Sequence, residues 1–178
     1  MNITIELNMK LLPLHRGELE KALEYILNQN NIAITIDGGG TLTDKNGEVK
    51  KCDIEITLKR PKDYDKFIDI IRKFGFAKGS KIISEKETLE IGNLEGFAIY
   101  LNGTDLSPLV YQNCDINYVI EQLEKAMDGV GFLYSYYEGN KETVLYFYGT
   151  SFKKMKELTK NFIKEYPLCE KCRIVQIV

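Results

Sequence analysis

The sequence predicts an α+β chain of two tandem β-α-β-β-α-β units, residues 1–88 and 89–178, each an antiparallel sheet with its helices on one face. Three observations predict it. Strand-period and helix-period segments succeed one another in the same order twice. Turn-forming residues fall between them. And 178 residues that are 44% hydrophobic and 28% charged are too apolar for a disordered chain and enough for buried cores without covalent staples.

Residues 2–8 alternate Ile3, Ile5 and Leu7 against Thr4, Glu6 and Asn8, the pattern of a half-buried strand. After Pro13, a helix over about 17–29 carries Leu19, Ala22, Leu23, Ile26 and Leu27 at helical spacing. Residues 32–37 put Ile32, Ile34 and Ile36 on one side of a strand. Residues 38–51, with Gly38-Gly39-Gly40 and Asn46-Gly47, read as a loop or loose hairpin tip. Strand 52–58 sends Ile54, Ile56 and Leu58 inward and Asp53, Glu55 and Thr57 outward. Pro61 suits a first helical position, Tyr64, Phe67, Ile68, Ile71 and Phe74 form the buried stripe, and Gly75 stops it. Residues 80–84 close the first set, and the junction falls near 85–96.

The order then recurs. Strand 97–102 leads through a loop to a helix over 116–127, capped by Asp115, striped by Ile116, Val119, Ile120, Leu123 and Met127, and stopped by Gly129. Strands 130–137 and 143–148 flank Glu138-Gly139-Asn140. A helix over 152–166, capped by Ser151, precedes a last strand over 173–178. Each half is the ferredoxin-like split β-α-β arrangement, with expected strand order 4-1-3-2. Phe74-Gly75-Phe76 before Lys81-Ile82-Ile83 corresponds to Tyr166-Pro167-Leu168 before Arg173-Ile174-Val175, as an internal duplication would leave them.

Composition excludes several classes of function. A net charge of −2 and a pI near 5.6 give no overall attraction to nucleic acid or an anionic membrane. No apolar run approaches the ~18 residues of a membrane span, and the first residues lack the basic start of a signal peptide. Four cysteines, Cys52, Cys114, Cys169 and Cys172, are few for a secreted disulfide scaffold, so the cytoplasm is the expected compartment.

Motifs with chemical potential have simpler readings beside them. Gly38-Gly39-Gly40-Thr41 has the composition of a phosphate cradle, but it leads into a strand, without the helix N-terminus such cradles use. Asp44-Lys45-Asn46-Gly47-Glu48 resembles half a calcium loop and lacks the bidentate acid at the twelfth position. Cys169-Glu170-Lys171-Cys172 follows a helix, whereas a redox pair opens one, and a structural zinc would need two more ligands from the distant Cys52, Cys114 or His15. His15, the only histidine, has no nucleophile spaced to serve it. No metal, cofactor or catalytic residue is expected, and the chain reads as non-enzymatic.

The sheet faces carry the functional expectation. With helices on one face, the other is solvated, packed or used for binding. In the first unit that face gathers Glu6, Asp53 and Glu55 near mid-sheet, with Asp37 at an edge. In the second it gathers Tyr100, Tyr146 and Tyr148. The tyrosines suit packing between the units, a partner, or the stacked bases of a single-stranded RNA, although the basic surplus that RNA demands is missing. The acids suit plain solvation or a basic protein partner, since burying several carboxylates without cations costs several kcal/mol each. A small-molecule sensor, with an effector near loops 85–96 and 103–114, is a further reading.

Gly129-Val130-Gly131, the strand ending Tyr148-Gly149, and Tyr166-Pro167-Leu168-Cys169 before Arg173, together with the Gly38–Leu58 region, resemble poorly characterised bacterial proteins, some of which are immunity proteins for intercellular toxins. The resemblance implies a cytoplasmic, acidic protein that binds a basic toxin domain stoichiometrically, and it assigns no residue a role.

Overall fold

The computed structural model describes residues 1–178. It has a mixed α+β fold that divides into two compact units, Met1–Asn93 and Leu94–Val178. The division falls at 93/94 and not at 88/89, because a short strand after residue 84 pairs back onto the first sheet.

The first unit runs β1 (Asn2–Leu7), α1 (Pro13–Gln29), β2 (Ile34–Gly38), β3 (Thr41–Thr43), β4 (Val49–Leu58), α2 (Tyr64–Ile71), β5 (Phe76–Ala77), β6 (Lys81–Ser84) and β7 (Thr88–Glu90). Its sheet order is β2-β4-β1-β6-β7, with β3 also on β4, and the paired strands are antiparallel. Without the short β3 and β7, this is the 4-1-3-2 order of a β-α-β-β-α-β unit. Alternation decides the faces: Ile3, Ile5 and Leu7 on β1 are buried with Cys52, Ile54, Ile56 and Leu58 on β4. On α2, Tyr64, Phe67, Ile68 and Ile71 are buried as the stripe predicts, and Ile70 joins them. Gly75, at φ 67°, takes the left-handed conformation that ends this segment without a Cβ penalty.

Several local expectations need correction. The first helix begins at Pro13, whose fixed φ suits a first helical position, and only Leu23 and Leu27 of its expected stripe are buried; Ala22 and Ile26 are exposed. The presumed loop 38–51 contains β3, which pairs Thr41 with Cys52, and the first residues of β4. A backbone irregularity between Ile36 and Gly38 lets β2 stop pairing and β3 begin on the same neighbour.

The second unit comprises β8 (Gly92–Asn102), which begins at the division, then α3 (Pro108–Asn113), α4 (Ile116–Ala126), β9 (Gly131–Glu138), β10 (Glu142–Gly149), α5 (Phe152–Glu165) and β11 (Arg173–Gln176). Its antiparallel order is β11-β8-β10-β9, again 4-1-3-2. One core unites Phe97, Ile99, Leu145 and Phe147 of the strands with Val119, Leu123 and Met155 of the helices. Both expected caps form. Asp115 accepts from the Asn117 N–H at 2.8 Å, and the Ser151 hydroxyl accepts from the Lys154 N–H at 3.3 Å. Helix α3 lies in the stretch expected to be a loop.

Candidate functional site

Because Ile3, Ile5, Ile54 and Ile56 face the core, their neighbours on β1 and β4 face away. Register then sets the acids side by side: Glu6 opposite Asp53, Thr4 opposite Glu55, and Gly38 of β2 beyond Glu55. Asp37 joins from the edge, its Oδ2 accepting from the Thr57 hydroxyl at 2.6 Å. Lys81 of β6 lies opposite Glu6, and Glu90 of β7 opposite Lys81. Glu6, Asp37, Asp53, Glu55 and Glu90 thus outnumber the lysines on this face. The pairings are loose. Lys51 reaches Glu6 at 3.0 Å while half exposed, and Lys81 stands 3.8 Å from Glu90, geometries worth at most about 1 kcal/mol each in water.

Asp53 also has a structural task. Its Oδ1 accepts from the Gly40 N–H at 3.0 Å, and its own N–H donates to the Gly40 carbonyl at 3.0 Å. Arg16 of α1 donates to the Asp53 carbonyl at 3.3 Å and stands 3.4 Å from Glu20. The triglycine therefore lies against Asp53 and Arg16, and a Cβ on Gly39 would collide with both. It is a strap that packs closely on the sheet.

The phenolic face is closed, so of the three readings of its tyrosines the open ones fail. Tyr146 and Tyr148 are buried, at 1% and 0% exposure, so neither ring is open to a partner or a base. Tyr148 meets Tyr134 edge to face, with centroids 5.3 Å apart, and burial pushes the Tyr134 phenol up to about 12. Tyr100 is partly exposed, but the Arg173 guanidinium covers its ring at 4.0 Å while making a two-point ion pair with Glu142. Of the seven residues read as partner-binding, the four acids remain accessible and the tyrosines do not form an open platform.

Burial pushes the Cys169 thiol up to about 12, with Cys172 and Cys114 close enough to add to the shift. Thiols held protonated are poor nucleophiles. No cluster of histidine, cysteine or carboxylate side chains has metal-binding geometry. No helix is long and apolar enough to cross a membrane.

The second unit has two concavities, the first beside the 103–114 stretch that the sensor reading singled out and the second not expected from the sequence. One, of about 390 Å³, is lined by Asn102, Tyr111, Cys114, Asp115, Glu138 and Thr143 among others. The other, of about 360 Å³, lies between α5 and β11 under a row of lysines. The 3-4-4 spacing of Lys153, Lys156, Lys160 and Lys164 was the legible signal for the second. The first is built from loop ends and left no periodic trace.

No protein-family model and no curated protein matches the chain. Solved structures do. The first two RRM domains of the yeast poly(U)-binding protein match at 10% identity over 99% of both chains, with a TM-score of 0.27. A suspected monooxygenase from Fusobacterium nucleatum matches at 12% identity, over 98% of this chain and 90% of its own, at 0.34. A mutant chlorite dismutase from Candidatus Nitrospira defluvii matches at 7% identity, over 98% and 90%, at 0.32. The expectation of a non-enzymatic chain is corrected here, because enzyme-related structures stand among those similar to it. At these TM-scores none of the matches lends this chain an activity.

Proposed function

We propose that the chain is a protein-binding module that takes a basic protein partner on the β2-β4-β1 face, through Glu6, Asp37, Asp53 and Glu55. The carrying observation is the surplus of accessible carboxylates, aligned by register and only loosely paired with Lys51 and Lys81. Cationic side chains from a partner would relieve the repulsion among these acids, and the field above the sheet would steer such a partner in. The sharpest form of the reading is neutralisation of a basic toxin domain in the bacterial cytoplasm, which the resemblance of the Gly129–Arg173 and Gly38–Leu58 segments supports. The same reading takes the two units as copies of one ancestral unit, supported by their shared 4-1-3-2 order.

The test titrates the purified chain against the products of the genes beside its own, with Glu6→Lys/Glu55→Lys in parallel. One basic partner should bind, and the reversal should weaken it by on the order of tenfold or more. Equal affinity for both proteins would remove the acidic face from the interface. Asp53 is left out of this variant because it also holds Gly40.

The 390 Å³ cleft favours a second reading, a small effector held by Asn102, Asp115 and Glu138. A thermal-shift screen with common metabolites should then raise the melting temperature, and Glu138→Ala should abolish the gain.

A further inference from the structure

Helix α5 breaks a local rule. Its own first turn has no acidic residue and carries Lys153 and Lys154; the carboxylate that the positive end of the helix dipole favours comes from Glu95, which accepts from the Phe152 N–H at 2.7 Å. Lys153, Lys156, Lys160 and Lys164 form one exposed row along the flank that faces β11, above the half-buried Ile163 and Ile174. Glu157 offsets them weakly, standing 3.9 Å from Lys160 with both side chains mostly in water. Between helix and strand runs the open groove of about 360 Å³.

The floor of that groove is an edge. β11 ends the order β11-β8-β10-β9. The Ile177 N–H donates to the Gly96 carbonyl, and alternation along the ladder then turns the backbone of Arg173 and Val175 toward β8. The N–H and C=O groups of Ile174 and Gln176 therefore point out of the sheet, beneath the lysine row.

We propose that this groove takes an extended acidic peptide segment of a partner protein by strand addition. The peptide backbone pairs with Ile174 and Gln176, an apolar side chain settles over Ile163 and Ile174, and alternate carboxylates meet Lys153, Lys156, Lys160 and Lys164. Edge pairing supplies affinity and the lysine row supplies the choice of sign. The site differs from the acidic sheet face in place, charge and partner, and neither reading rests on the other.

The probe is a fluorescent peptide about eight residues long, a strand's length, whose helix-facing alternate positions carry glutamate except for one central valine, with threonine at the positions between. Anisotropy should show saturable binding that falls at least tenfold between about 50 and about 300 mM salt. Lys156→Glu/Lys160→Glu should lose at least tenfold, and so should wild-type protein offered the same peptide N-methylated on the edge that faces β11. Glu6→Lys/Glu55→Lys should bind the peptide within about twofold of wild type, which separates this site from the acidic face. Equal binding of the N-methylated peptide overturns strand addition. Unchanged affinity of the lysine variant overturns the site. Lysine-dependent binding of single-stranded RNA or phosphatidylserine vesicles, with none of the peptide, overturns the choice of partner.

Discussion

Asp53 and Gly39 show how little latitude the residues behind the acidic face have. Asp53 presents its carboxylate to the strap and its carbonyl to Arg16, and Gly39 lies where any side chain would strike both partners. Gly39→Ala is expected to cost about 1–3 kcal/mol, the usual cost of forcing a methyl into filled space, read as a lower urea midpoint. An unchanged midpoint would mean that the strap shifts off both the Asp53 carbonyl and Arg16 without cost. Cys52 offers a second residue-scale test. Burial pushes its thiol from an ordinary 9.0 up to about 12, so the folded chain keeps a proton that the unfolded chain releases first. The associated stability is whole below about pH 9 and is lost as pH rises toward 12. Wild type should therefore lead Cys52→Ala by less at about pH 10.5 than at about pH 8 in urea unfolding. A constant gap would show the thiol to be in contact with solvent.

Among the elements, α4 and α5 depend on their first residues in a way α1 does not. Asp115 and Ser151 satisfy N–H groups that have no partner inside the helix, whereas α1 starts on Pro13 with no side-chain cap. Asp115→Ala and Ser151→Ala should each lower stability by about 1 kcal/mol, with Ser151→Asp restoring it, as differential scanning calorimetry would record. An aspartate there would also answer the dipole that Lys153 and Lys154 oppose. Full stability in Ser151→Ala would leave the Lys154 N–H served by water. α1 illustrates the opposite case, since only Leu23 and Leu27 of its seventeen residues are fully buried.

At the scale of the whole molecule, a net charge of −2 conceals two fields of opposite sign: carboxylates across the β2-β4-β1 face of the first unit and lysines along α5 of the second. Averaged charge says little about a partner when the signs are segregated this way. Steering by the acidic face should make association with a basic partner slow by on the order of tenfold as salt rises from about 50 to about 300 mM, with dissociation little changed, in stopped-flow mixing. A rate indifferent to salt would reject steering and leave only contact chemistry.

Alternation in residues 2–8 and 52–58 was enough to put Glu6, Asp53 and Glu55 on the side away from the core, because a strand's period of two leaves no other choice once the isoleucines are buried. The α2 and α4 stripes, both caps and the repeated element order were legible for the same reason: they are properties of near neighbours. Tyr146 and Tyr148 alternate just as cleanly, yet both faces of their strand are buried, and no local pattern says what lies over a sheet. The groove above β11 likewise required knowing that the last strand becomes an edge and that α5 crosses beside it. Periodicity settles which way a side chain points; only the packing of distant segments settles whether it meets water, a neighbour or a free row of backbone amides.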